Sequence, residues 1–290
     1  MKIKFWGVRG SIAAPGKDTV RYGGNTLCTE VREGDTEIIL DAGTGIRALG
    51  NDLIKRFGPN GINAHLFLSH THWDHIQGFP FFAPAYIPGN KIDICAAEKV
   101  DTSLEQTLAG QMLYQYFPIS LKQLGASIQF HDLKEGQTFE IVGQKPYMHP
   151  INVKNIKLNH PFPGVFAYRI DGLGFVDSVL KNESLVYATD TEHYDCLDHR
   201  LVKLAEGADV LIYDSQYTPK EYETKLSWGH STGQKGVETA KAAHVKRLVL
   251  YHHDPTHTDD DIDKILSICQ KMAGKDLEVI AASEGLEIDA

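Results

Sequence analysis

The segment His70-Thr71-His72-Trp73-Asp74-His75 follows directly on the mostly apolar run Ala64-His65-Leu66-Phe67-Leu68-Ser69. The run reads as a buried strand, so the histidines stand at its mouth. If the chain leaves that strand extended, His70 and His72 project to the same side, because side-chain direction repeats every two residues. Asp74 and His75 follow where the backbone must curl toward a helix, and they can face a second ion. Neutral imidazoles with a carboxylate suit zinc or a similar first-row divalent ion. Three histidines and an aspartate within six residues read as a metal centre rather than as a polar loop that happens to be rich in histidine.

A length of 290 residues is compatible with one large domain or two small ones. Apolar residues at 42% are enough for a sizeable core, and charged residues at 23% are ordinary. No apolar run reaches the roughly 18 residues of a membrane helix. The segment Met1-Lys2-Ile3-Lys4-Phe5-Trp6-Gly7 reads as a first strand, not as an export signal. Cys28, Cys95, Cys196 and Cys269 form no C-x-x-C pair. They suggest reduced, mostly buried thiols in a cytoplasmic protein. A formal net charge of -9 weighs against general affinity for nucleic acid, which needs a basic footprint. A small anionic substrate stays compatible, because metal ions would supply positive charge locally.

Strands are expected at 3–8, 27–32, 37–41 and 64–69, with a helix from about Ile46 to Phe57 that stops at Gly58-Pro59. Thr102-Ser103-Leu104-Glu105 has the form of a capping box and predicts a helix carrying Leu104, Leu108, Met112 and Tyr116 on one face. Further strands are expected at 139–142, 152–158, 166–170 and 185–188. The last part alternates: strand 210–213, helix 232–243, strand 247–251, a helix over 259–272 capped by Thr258, and a final strand 277–281. The acidic cluster Asp259-Asp260-Asp261 fits a helix amino terminus better than a metal site. Strands first and alternating units later fit two sheets packed face to face with helices outside.

The arrangement H-x-H-x-D-H resembles the signature of the metallo-β-lactamase superfamily, and other segments resemble its remaining motifs in order. Lys157-Leu158-Asn159-His160-Pro161 is similar to the third motif, 186–191 to the fourth with Asp190, and 246–255 to the last with His252. His253 is the nearest rival for that last place. The resemblance implies an α/β fold, the αββα sandwich of two packed mixed β-sheets with helices on the outer faces. It implies one domain over 1–290, with a helical elaboration at about 80–124. It also implies two divalent ions, zinc or manganese: one on His70, His72 and His160, the other on Asp74, His75 and His252, with Asp190 bridging. Relatives are often dimers, so a homodimer is expected.

Two such ions clamp the attacking and leaving oxygens of a displacement and make hydroxide available near neutral pH. Less Asp74, Asp190 and one hydroxide, they leave about one positive charge, which a phosphodiester monoanion would neutralise. Gly229-His230-Ser231-Thr232 resembles the H-S-T element of ribonuclease Z and its phosphodiesterase relatives. Asp214 stands where ribonuclease Z has a glutamate, so an Asp214–His230 pair can protonate a departing alkoxide. The plainer reading is that His230 and Ser231 cap a helix. Asp74, His230 and Asp214 are thus the expected catalytic residues.

The expected activity is hydrolysis of a small phosphodiester, of the cyclic nucleotide or phosphoribosyl cyclic phosphate type. Ribonuclease Z-like processing of RNA is the first rival. That family carries a substrate-gripping arm between its third and fourth motifs, whereas Pro161–Thr189 here reads as two short strands joined at Asp171-Gly172-Leu173-Gly174. A lactonase and a metal-bearing binder without turnover are the other rivals. Asp41 is expected to steady the metal loop, and His65 to be structural. Arg9-Gly10-Ser11 and the stretch 21–26 read as turns first. Phe79, Phe81, Phe82 and Tyr86 suit core packing at least as well as an aromatic wall. His131, His149, His193, His199, His244 and His257 have no assigned partner.

Overall fold

The computed structural model describes residues 1–143, 150–161, 164–176 and 179–290. One sheet holds β1 (Lys2–Gly7), β2 (Cys28–Glu33), β3 (Thr36–Leu40), β4 (Asn63–Phe67), β5 (Lys91–Ala97) and β6 (Ser127–Leu133). The other holds β7 (Thr138–Ile141), β8 (Ile151–Leu158), β9 (Val165–Val176), β10 (Val179–Ala188), β11 (Val210–Asp214), β12 (Arg247–Tyr251) and β13 (Glu278–Ala281). A last strand, β14 (Glu287–Asp289), returns to the first sheet beside β1. The orders are β14-β1-β2-β3-β4-β5-β6 and β13-β12-β11-β10-β9-β8-β7. Each sheet is mixed in the same way, antiparallel through its first pairings in chain order and parallel from β3 to β6 and from β10 to β13.

The helices are α1 (Ile46–Phe57), α2 (Trp73–Ile76), α3 (Leu104–Gln111), α4 (His199–Ala205), α5 (Pro219–Tyr222), α6 (Gly233–Ala242) and α7 (Asp259–Ala273). Between the sheets, alternate strand residues such as Phe5, Val31, Phe67, Tyr168, Tyr187 and Tyr251 form the central core. Leu49 and Leu53 of α1 and Leu104 and Leu108 of α3 bury against the outer face of the first sheet. Leu201, Val237, Ile262 and Ile265 of α4, α6 and α7 do the same on the second. The layers therefore run helix, sheet, sheet, helix, as expected. Each large apolar side chain so buried contributes about 1.5–3 kcal/mol.

The segment expected as a helical elaboration, Pro80 to Leu124, holds short helical turns and α3, but β5 runs through it as an interior strand. Ile92 and Ile94 pack under the helices while Lys91 and Asp93 alternate with them. The cap of α3 is Ser103 with Gln106, one residue later than Thr102 with Glu105. That helix ends at Gln111, so Met112 is buried but Tyr116 is exposed. Asp171–Gly174 is not a turn. It lies inside β9, where Asp171 to Gly174 pair with Ser184 to Lys181 of β10. His149 lies outside the described residues.

Candidate metal centre

The parallel strands of both sheets end at one edge of the sandwich, and the expected ligands sit just beyond those ends. Leu68 N–H donates to the Cys95 carbonyl at 2.8 Å, so β4 stays paired up to the histidine run. His72 is the extended residue capping α2, with φ -65° and ψ 157°. The single turn of α2 then carries Asp74 and His75. His160 follows β8, Asp190 follows β10 and His252 follows β12. Asp41, Asp190 and His252 have φ of 63°, 52° and 61°. Non-glycine residues in this left-handed region are uncommon and cluster at functional sites. Here the sharp turn aims each side chain into the seam between the sheets.

His70, His72 and His160 form one group, and Asp74, His75, Asp190 and His252 another, with the donor atoms of each group within 4.8 Å of one another. His72 Nδ1 lies 3.2 Å from His160 Nε2. Asp190 faces both groups: Oδ1 is 3.9 Å from His70 Nε2, and Oδ2 is 3.2 Å from His75 Nε2 and 3.1 Å from His252 Nε2. Asp74 Oδ2 is 3.3 Å from His75 Nε2 and 3.4 Å from His252 Nε2. The Nε2 atoms of His70, His75 and His252 are buried with no hydrogen-bond partner among the described residues. Each such atom costs about 1–3 kcal/mol if left unsatisfied. Three of them converging on two carboxylates, with the ring nitrogens of His72 and His160 beside them, fit divalent first-row cations.

A surrounding set of hydrogen bonds fixes these rings. Asp41, fully buried, takes His75 Nδ1–H at 2.8 Å, Ser69 N–H at 2.7 Å and the Tyr187 hydroxyl at 2.7 Å. His160 Nδ1–H donates to the Gly229 carbonyl at 2.9 Å. Such partners set the tautomer and orientation of a ligating imidazole. Glu192, unnoticed in the sequence, is buried and accepts from Ser227 N–H at 2.6 Å and Gly229 N–H at 2.9 Å, which holds that carbonyl in place. Ser11 N–H donates to Asp74 Oδ2 at 2.7 Å, so the turn 9–11 does touch the site. A Cβ on Gly10 would lie 2.2 Å from the His252 ring, and one on Gly229 2.2 Å from His160 Nδ1. Close approach therefore requires glycine at both.

Electrostatics separates the two groups. Burial lowers the pKa of His70, His72 and His160, which keeps them neutral and ready to donate a lone pair. Burial opposes charging of His75 and His252 too, but Asp190 and its neighbours outweigh it, and His252 rises to about 10. Burial would likewise raise Asp74 and Asp190, yet the facing histidines hold both well below the usual carboxylate range. The carboxylates are thus held ionised by the positive charge that faces them.

His230 Nδ1 lies 3.0 Å from Asp214 Oδ2 and 3.8 Å from Asp190 Oδ1. Its ring stacks on His252 at 4.8 Å and meets the Tyr217 ring edge-on at 5.7 Å. Neither His230 nor Ser231 caps the following helix. Thr232 does, accepting from Lys235 N–H at 3.2 Å. His253 turns away from the cluster and contacts the Ala282 carbonyl at 2.9 Å. Burial lowers it to about 3.

Four of the remaining histidines find partners elsewhere. His65 and His131 flank Asp93, His193 meets Ser231 Oγ, and His257 meets Glu221. Phe79 and Phe82 are core residues, whereas Phe81 is exposed. All four cysteines are free, Cys28, Cys95 and Cys269 buried and Cys196 exposed. Among the described residues no helix is long and apolar enough to cross a membrane.

Residues 36–253 match the model of a beta-lactamase superfamily domain. A ribonuclease Z of Picrophilus torridus is 24% identical over 288 residues, covering 89% of this chain and 87% of that one. One of Archaeoglobus fulgidus is 23% identical over 297 residues, covering 89% of each. Among solved structures, a metallo-beta-lactamase fold protein of Bacillus subtilis superposes with a TM-score of 0.68 at 19% identity, over 100% of this chain and 98% of that one. A diphosphatase of the PhnP family superposes with a TM-score of 0.66 at 16% identity, over 100% and 97%.

Proposed function

Because the chain belongs to the beta-lactamase superfamily, we propose that its histidine–aspartate cluster is a two-ion hydrolytic centre acting on a small phosphodiester. The observation that carries the reading is the division of Asp190. One carboxylate oxygen faces His70 and the other faces His75 and His252, the geometry expected of a bridge between two cations. His70, His72 and His160 would hold one ion, and Asp74, His75 and His252 the other. Divalent ions held there would supply Lewis acidity and a nucleophile available near neutral pH. Zinc or manganese suits the donors, and the free cysteines suit a cytoplasmic setting.

The chain's own groups do the rest. Asp74, fixed by Ser11 N–H, orients what lies against its second group. Asp214 accepts from His230 Nδ1–H and orients the ring, so that Nε2 is free to pass a proton to the departing oxygen. Stacking on His252 and the edge of Tyr217 keep that ring in one plane.

Cleavage of RNA is the second reading, favoured by the ribonuclease Z relatives. Against it stand the net charge of -9 and a stretch from Pro161 to Thr189 taken up mainly by β9 and β10. Metal-replete protein assayed on bis(p-nitrophenyl) phosphate, cyclic mononucleotides, cyclic dinucleotides, a phosphoribosyl cyclic phosphate, a lactone and a precursor transfer RNA tests the proposal. Turnover of a small diester is expected. Cleavage of the RNA alone, of the lactone alone, or of no ester at two ions per chain would overturn it.

A further inference from the structure

Two tryptophans adjoining residues of the metal centre are mostly exposed. Trp73 is 78% exposed although it stands between His72 and Asp74, and Trp228 is 61% exposed although it adjoins Gly229, whose carbonyl holds His160. The His72–His160 contact at 3.2 Å joins these two stretches across the seam, so the two tryptophans adjoin residues that meet at the metal centre. Their backbones are held. Trp73 opens α2, and Trp228 follows Ser227, whose φ of 69° and bond to Glu192 fix the turn. Beside Trp228 stands a cation: Lys225 Nζ lies 5.9 Å from its ring centroid and 4.2 Å from that of Tyr217. Lys225 is itself shared with Asp254 at 3.6 Å.

Tryptophan offers a large apolar face with a polar edge and is enriched where proteins bind partners, and these two stand beside residues of the candidate centre. An aromatic face with an ammonium next to it complements a planar ring attached to an anion. We propose that Trp73 and Trp228 form a stacking platform for the planar ring of the substrate. On that assignment the site selects a nucleobase-bearing phosphodiester over a bare sugar phosphate. This deepens the phosphodiesterase reading and rests on it.

Stacking on an aromatic side chain corresponds to roughly 5–150-fold in affinity per base. Metal-replete wild type, Trp73→Ala, Trp228→Ala and Trp228→Phe are compared on a cyclic adenosine monophosphate and on ribose cyclic phosphate, which lacks the base. Binding of AMP is measured in parallel by calorimetry, with no turnover needed. Each alanine variant should raise KM for the nucleotide and weaken AMP by a factor in that range. The kcat and the KM for the base-free ester should hardly change, and Trp228→Phe should retain most of the affinity. Unchanged KM and AMP affinity in both alanine variants would overturn the platform. So would a loss of dimer in sedimentation with AMP binding intact, which would make the rim a subunit contact. If wild type cleaves neither ester, the phosphodiesterase reading falls, and AMP binding still decides whether the indoles take a base.

Discussion

On the proposed reading, replacing His230 separates acid catalysis from every other contribution of the site. In a cyclic nucleotide the departing atom is a ribose oxygen that needs a proton, whereas p-nitrophenolate leaves without one. Loss of a general acid costs about 10²–10⁴-fold on the first kind of ester. His230→Ala should therefore slow the cyclic nucleotide by that factor and bis(p-nitrophenyl) phosphate by much less.

The magnitude for Asp214→Asn follows from its contacts. Oδ1 accepts Gln216 N–H at 3.0 Å and Ser231 N–H at 3.3 Å, while Oδ2 faces His230 Nδ1 at 3.0 Å. An asparagine there keeps its oxygen on the two backbone donors and turns its NH₂ toward the imidazole. That amide cannot accept from Nδ1–H, so the imidazolium loses a charge-assisted bond of about 1.5–3 kcal/mol. Roughly 10–150-fold of the acid contribution should go, with the same preference for the poor leaving group. Because His230 stacks on His252, elemental analysis of each variant must accompany the kinetics. Equal losses on the two esters, with metal content intact, would refute the acid role.

Asp190→Ala should bind one ion or hold two weakly, because a shared carboxylate neutralises two like charges; an unchanged content of two by elemental analysis would remove the bridge. Asp41→Asn deprives His75 Nδ1–H of its acceptor and should weaken one ion about 10–100-fold, read by competition with a chelating dye. Glu37 supplies a pH test remote from the site: burial first, then Glu30, push it up to about 8 against the pull of Arg56. A carboxyl raised on folding stabilises fully below its unfolded value and loses that contribution as pH rises through the folded one. Glu37→Gln should therefore gain on wild type between pH 5 and 8, by on the order of 1 kcal/mol in urea unfolding; an equal difference at both pH values would exclude the shift.

The layered fold was legible because its long apolar strands and capped helices each carry a local signal, and the histidine run because its spacing has few uses other than metal binding. β5 carries such a signal too, the alternation of Lys91-Ile92-Asp93-Ile94, but it is flanked by segments with helix signals that mask it. Asp171-Gly172-Leu173-Gly174 has the chemistry of a turn, and only cross-strand pairing with β10 keeps it extended. Asp214 and His230, sixteen residues apart, could be paired only through a family resemblance. Glu192 left no trace, and Ser11 stood out only as part of a turn, because their contacts at the site involve main-chain N–H groups, and a main-chain donor is the same in nearly every residue type.

Neither group of ligands is complete within one sheet. His70 and His72 leave the first sheet and wait for His160 from the second, and Asp74 and His75 likewise wait for Asp190 and His252. A cation held in either group would thus be a rivet through the seam, since its full set of donors forms only when the two sheets are docked. At a hundredfold excess over its dissociation constant, such a ligand stabilises the docked state by about 2.7 kcal/mol. The chain's resistance to heat and to proteases would then track the supply of metal, and a chelator would lower its stability as well as stop its hydrolysis.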